Sequence, residues 1–71
     1  MDINVFFGEK IKAERINQSL SQEQLSFLAD IDRTYISDIE KGGRKVSLEI
    51  CYKLTRALKI SLSNLLKDLE V

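Results

Sequence analysis

Residues 21–42 decide the fold of this chain, and they read SQEQLSFLADIDRTYISDIEKG. Ser21 is a residue type that accepts a bond from a backbone N–H at a helix start. Gln24, three residues later, can return a bond to the backbone of Ser21, which completes a capping box. The pattern predicts a short helix over 22–29. Its predicted inward face consists of Leu25, Leu28 and Ala29.

A second short helix follows the three-residue break Asp30-Ile31-Asp32. Asp32 is suited to cap a helix over 33–41, with Ile36 and Ile39 facing inward. The pair Gly42-Gly43 is expected to end it, because glycine adopts the left-handed conformation at a helix C-terminus. Two short helices joined by such a turn suggest a helix-turn-helix at about 22–41, whose second helix enters the major groove of DNA.

The remainder of the chain adds three predicted helices, over 3–17, about 48–58 and about 62–69. The first has an apolar stripe at helical spacing, and Gly8 within it indicates either a tight contact or a frayed first turn. Ser47 and Ser61 are suited to cap the other two helices. The apolar positions of the three helices are Ile3, Phe6, Phe7, Ile11, Ile16, Leu48, Cys51, Leu54, Leu58, Leu62, Leu65, Leu66 and Leu69. The sequence therefore predicts one compact all-α domain of five helices over residues 1–71.

Composition excludes several classes of function. The chain has no histidine and one cysteine, Cys51, which excludes most familiar zinc sites, histidine-based triads and intramolecular disulfides. Neither a glycine-rich phosphate loop nor a catalytic carboxylate pair stands out, so an enzyme, a cofactor or a small-molecule ligand is not expected. Because the N-terminus lacks a basic signal region and no apolar run could span a membrane, a cytoplasmic protein is expected.

The zero net charge of the chain conceals an asymmetry. Eleven basic and eleven acidic residues balance over the whole sequence, but residues 33–59 hold seven basic and three acidic ones. An excess of positive charge in one part of a neutral chain indicates a face that binds a polyanion such as DNA.

The residues quoted above resemble the lambda-repressor/Cro-like, or Xre-like, family of helix-turn-helix regulators. The likeness continues through Ser47-Leu48-Glu49 and residues 57–62, and it covers about Phe7 to Leu66. Within that family, residues 32–37 together with Arg44 are similar to the controller proteins of restriction–modification systems. The resemblance implies a small homodimeric transcriptional regulator of double-stranded DNA.

Candidate DNA contacts follow from the chemistry of the side chains. Arg33 is at the start of the second helix of the helix-turn-helix, which we call the reading helix. It can donate two hydrogen bonds to guanine O6 and N7. Thr34, Tyr35 and Ser37 can contact bases or backbone, and Gln22 at its helix start suits a phosphate oxygen. Asp38 can accept from a cytosine amino group, or turn toward Arg33 or Lys41 and away from DNA. The full predicted set is Gln22, Arg33, Thr34, Tyr35, Ser37, Asp38, Lys41, Arg44 and Lys45.

Two further groups of residues are expected to support the fold or the dimer and not to contact DNA. The resemblance implies a pair between Arg15 and Glu40 that supports the scaffold. The leucines of the last helix cover too wide an arc for all to face the core, which predicts a homodimer and hence a pseudo-palindromic operator. The predicted interface residues are Ile50, Tyr52, Leu62 and Leu69. Asp30 stands where the family usually has glycine, and aspartate can adopt the left-handed conformation this turn requires.

Two alternatives to a controller protein remain open from the sequence. A helix-turn-helix can bind another regulator in place of DNA, and the zero net charge and Asp38 favour that interpretation slightly. An antitoxin or prophage-type regulator would have the same residues on its reading helix. Arg33, Thr34, Gln22 and Arg44 together favour DNA binding strongly.

Overall fold

A computed structural model describes residues 1–69, which form five helices and no strand. Glu70 and Val71, the last two residues of the predicted 1–71 domain, lie outside the described residues. The predicted all-α architecture is confirmed. The helices are α1 (Ile3–Asn17), α2 (Gln22–Ala29), α3 (Arg33–Glu40), α4 (Leu48–Leu58) and α5 (Leu62–Leu65).

The capping residues start the helices where the sequence predicts. The Ser21 hydroxyl accepts from the Gln24 N–H at 3.0 Å, and the Gln24 side-chain oxygen accepts from the Ser21 N–H at 2.8 Å. The carboxylate of Asp32 accepts from the Thr34 N–H at 3.0 Å. Ser47 and Ser61 cap α4 and α5 in the same way. These starts were predictable because each cap satisfies orphan donors within its own few residues.

The turn between α2 and α3 depends on a left-handed residue and a buried one. Asp30 has φ 55° and ψ 48°, so aspartate adopts the conformation for which glycine is usual, as predicted. Ile31 is buried and fixes the turn to the core. At the other end, α3 stops at Glu40, one residue before the predicted end, and Gly42 at φ +76° turns the chain away.

The core is built from one or two buried side chains of each helix and from the turn. Its members are Phe7, Ile11, Leu25, Ala29, Ile31, Ile36, Ile39, Leu54, Leu58 and Leu65. Gly8 lets α1 and α3 approach each other, since a Cβ there would collide with the carbonyl oxygen of Ile39. Gly8 therefore marks a tight contact and not a frayed first turn. α3 is thus held by direct backbone contact with α1.

Four of the predicted core positions are exposed. Leu28 lies at the edge of a buried stripe made by Leu25 and Ala29, and in a helix of only two turns the periodicity does not settle which side faces inward. Leu48 is 85% exposed, because α4 enters the core only in its later turns. Ile3 and Ile16, at the two ends of α1, are also exposed. Cys51 is half-buried against the core.

The fifth helix is shorter than the leucine spacing predicts. The sequence indicated a helix over 62–69, but α5 ends at Leu65 and the chain continues through turns. The Leu69 N–H donates to the Leu66 carbonyl at 2.9 Å, and Lys10 donates to the Asp68 carboxylate at 2.8 Å. A helix this short is governed by tertiary contacts and not by propensity. Leu69 therefore lies after the turn over residues 66–68 and is partly buried.

Candidate nucleic-acid interface

The first turn of α3 presents Arg33 and Thr34 to solvent. Asp32 caps this turn from outside the helix, so the backbone of α3 is fixed at the point where those two side chains leave it. The nearest Arg33 nitrogen lies 3.7 Å from a carboxylate oxygen of Glu23, and the side chains are 65% and 80% exposed. An ion pair with this separation and exposure contributes little to the stability of the fold. Arg33 is therefore available to a ligand that meets the start of α3.

Arg44 folds back over α3 from the loop that follows it. Its Nε lies 3.2 Å from an oxygen of Asp38, and its guanidinium carbon lies 4.7 Å from the centre of the Tyr35 ring. Asp38 thus has a partner that the sequence did not indicate, since the alternatives were Arg33, Lys41 or a DNA base. Three of the predicted site residues form one cluster on the exposed side of α3. We call Tyr35, Asp38 and Arg44 the Arg44 cluster.

The pair expected in the scaffold is formed beneath this surface. Arg15 donates from Nε and Nη2 to the two oxygens of Glu40 at 2.7 and 2.9 Å, and from Nη1 to the Leu20 carbonyl at 2.8 Å. The side chains are only 11% and 3% exposed. The hydrogen bonds with Glu40 raise the pKa of the Arg15 guanidinium above its ordinary value. This pair connects the end of α1 to the end of α3.

Gln22 joins this network. Its amide nitrogen donates to Glu40 at 3.1 Å, so the side chain connects the start of α2 to the scaffold pair. One amide hydrogen is used in this bond, and an amide has two. The predicted phosphate contact of Gln22 stays a prediction.

The remaining predicted DNA contacts lie along α3 and the loop after it. Ser37 is half-buried, whereas Lys41 and Lys45 are exposed. The loop is attached to α1 because the Val46 N–H donates to the Asn4 side-chain oxygen at 3.0 Å. Asn4 is a positioning residue that sequence reasoning missed, and no local pattern indicates a bond across 42 residues.

The predicted dimer residues differ in exposure. Tyr52 is 61% exposed and Leu62 39% exposed, whereas Ile50 is half-buried against the core. Leu48 is also exposed and lies one turn before Tyr52 on α4, so the two share a face. The sequence had placed Leu48 in the core. The exposed large apolar residues of α4 and α5 are thus Leu48, Tyr52 and Leu62.

Other kinds of site are not built by residues 1–69. No three cysteine or acidic side chains there come together as metal ligands. Within the same range, none of the helices has the length and apolar character that a membrane crossing requires. Burial raises the pKa of the Cys51 thiol, which disfavours its reactive thiolate form.

Comparison with known proteins identifies the family and the fold. Residues 11–65 match the family described as Helix-turn-helix. The chain is 46% identical over 66 residues to the control protein C.BamHI of Bacillus amyloliquefaciens, a match that covers 92% of this chain and 82% of that protein.

Two solved structures are similar to this one. The restriction–modification controller protein C.AhdI from Aeromonas hydrophila superposes with a TM-score of 0.86 and 40% identity, over 92% of this chain and 98% of that chain. The controller protein C.Esp1396I, as a tetramer in complex with its natural 35 base-pair operator, superposes with a TM-score of 0.87 and 25% identity, over 96% of this chain and 90% of that chain.

These matches confirm both the family and the narrower group that the reading helix indicated. They extend over nearly the whole chain and are not limited to residues 21–42. The chain therefore belongs to the helix-turn-helix family of DNA-binding transcriptional regulators, in the group of restriction–modification controller proteins.

Proposed function

We propose that this chain, as one helix-turn-helix domain over residues 1–71, binds a pseudo-palindromic operator as a homodimer and so controls the genes of a restriction–modification system. The observation that carries the proposal is the capped, solvent-exposed first turn of α3, with Arg33 and Thr34 at its surface. That end of a recognition helix is the part that contacts base edges. The protein acts in the cytoplasm, where bacterial DNA lies. Its relatives are regulators, and it is not an enzyme.

The proposed DNA contacts divide between reading the bases and holding the backbone. Arg33 makes a bidentate contact with a guanine, and Thr34 and Ser37 contact neighbouring base edges. Lys41 and Lys45 bind phosphates, which are the same in every sequence. Arg15 and Glu40 take no part, since both are buried in the scaffold.

The dimer forms through the apolar surface of α4 and α5. Tyr52 and Leu62 are its exposed predicted members, and Leu48 extends the same face. Ile50 and Leu69 border it and are partly buried within the chain. To enter successive major grooves, the two α3 helices of the dimer must lie about 34 Å apart, one turn of DNA. The tetramer on operator DNA formed by C.Esp1396I supports an assembly of more than one chain.

Selection of bound sequences from a pool of random DNA duplexes tests this function. The chain should enrich a two-fold symmetric motif with half-site centres about 10 bp apart, because each subunit contributes one reading helix. The matched control is Leu62→Glu, which places a charge in the proposed interface and leaves α3 unchanged. It should enrich single half-sites or nothing.

The selection can also contradict the proposal. Absence of any enriched motif would leave the protein-interaction alternative, and an asymmetric half-site from the unmodified chain would contradict the dimer.

A further inference from the structure

The Arg44 cluster places opposite charges in contact on the surface proposed to meet DNA. The Asp38 carboxylate holds the Arg44 guanidinium by an ion pair of 3.2 Å, and the Tyr35 ring lies beneath it at 4.7 Å. Backbone bonding supports the arrangement, because the Gly43 N–H donates to the Asp38 carbonyl at 2.9 Å. Arg44 therefore has a defined place against α3.

This place has an electrostatic consequence. While Arg44 pairs with Asp38, the two charges offset each other and Arg44 is not extended toward a phosphate. The side chains are 49% and 36% exposed, so the pair is weak enough to exchange partners. When Arg44 leaves to bind a phosphate, however, the Asp38 carboxylate remains on the helix that faces the polyanion. That carboxylate is then unfavourable unless DNA offers it a donor.

Only some DNA sequences offer the Asp38 carboxylate a hydrogen-bond donor. In the major groove the amino groups of cytosine and adenine can donate to a carboxylate, whereas thymine and guanine present acceptors at the matching edge. An operator with cytosine or adenine at that position compensates Asp38 once Arg44 has left. Sequences with thymine or guanine there do not.

We propose that Asp38 is a specificity-determining residue that acts through Arg44. By holding the guanidinium over Tyr35, its carboxylate withholds Arg44 from the phosphates of arbitrary DNA, and an operator that offers Asp38 a donor releases it. The inference rests on the proposed function, since it presupposes that α3 meets DNA.

The test compares Asp38→Asn, Arg44→Ala and the double variant with the unmodified chain. Affinity is measured at several salt concentrations for the duplex obtained by selection and for a scrambled duplex. Asp38→Asn should bind scrambled DNA up to about fivefold more tightly, the upper range for an exposed ion pair. For that duplex, the slope of log affinity against log salt concentration should become steeper by about one, because Arg44 gains a phosphate contact. Affinity for the selected duplex should rise less, so the ratio between the two falls.

The double variant separates release of Arg44 from loss of a negative charge. With Arg44 already replaced by alanine, Asp38→Asn removes the same charge but frees no cation. It should then leave the salt slope on scrambled DNA unchanged. Equal effects of Asp38→Asn in both backgrounds would overturn the inference, as would a loss confined to the selected duplex, which would make Asp38 a base reader alone. Both results leave the proposed function standing if the unmodified chain still discriminates between the duplexes.

Discussion

Replacing Glu40 with alanine should destabilise the fold by about 3–5 kcal/mol, the usual effect of removing one partner from a buried ion pair. The carboxylate accepts two bonds from Arg15 and one from Gln22, and its side chain is 3% exposed. Without it the Arg15 cation stays largely buried with only the Leu20 carbonyl as acceptor. Urea unfolding followed by circular dichroism measures the loss.

Asp68→Ala is the matched control. It also removes a carboxylate from an ion pair to α1, but the Lys10–Asp68 pair lies at the surface. Solvent screens such a pair, so the free energy of unfolding should change far less than in Glu40→Ala. Similar losses in the two variants would contradict the assignment of Arg15 and Glu40 as the main polar connection of the scaffold.

A second large effect is expected from Gly8→Ala. The added methyl group would collide with the carbonyl oxygen of Ile39 and lie 3.3 Å from the Cα of Glu40, both of which are backbone atoms of α3. A backbone cannot rotate away as a side chain does. Overpacking costs about 1–3 kcal/mol or occasionally more, and we expect the upper part of that range despite the better helix propensity of alanine. The same unfolding measurement applies.

Gly43→Ala provides the comparison at a permissive glycine. Its nearest neighbour would be the Asp38 carbonyl oxygen at 3.6 Å, which is ordinary van der Waals contact. This variant should unfold at nearly the same urea concentration as the unmodified chain. If Gly8→Ala is no less stable than Gly43→Ala, α1 and α3 are not in the close contact described.

The parts of the fold that were predictable from sequence are those that local interactions determine. The side chains of Ser21, Asp32 and Ser47 each accept a hydrogen bond from a backbone N–H two or three residues away, so the helix starts follow from composition and spacing. The ends of the helices and the faces that they turn toward the core could be predicted less well. Leu48 has core spacing but lies in a turn of α4 outside the core, and Leu69 lies past the end of α5, because tertiary packing decides both.

The candidate site shows the same division. The exposure of Arg33 and Thr34 follows from their position after a cap, which the sequence displays. The ion pair between Asp38 and Arg44 could not be predicted in this way, because it joins residues on either side of the turn at Gly42. The φ of Gly42 is +76°, and side-chain periodicity does not encode the direction that the chain takes after such a turn. From the sequence, the alternatives for Asp38 were Arg33, Lys41 or a cytosine amino group. The contact that motivates the further inference was visible only in three dimensions.

In the proposed function, the first turn of α3 reads DNA sequence while the loop after α3 holds the DNA backbone. The affinities of Arg33→Ala and Lys45→Ala for the selected and scrambled duplexes, measured over a series of salt concentrations, test this division. Arg33→Ala should cost about 1–3 kcal/mol per site on the selected duplex, with relaxed preference at one base pair. Lys45→Ala should weaken binding to both duplexes alike and lower the salt slope by about one. If Arg33→Ala lowers both affinities equally, Arg33 holds the backbone, and this division is contradicted.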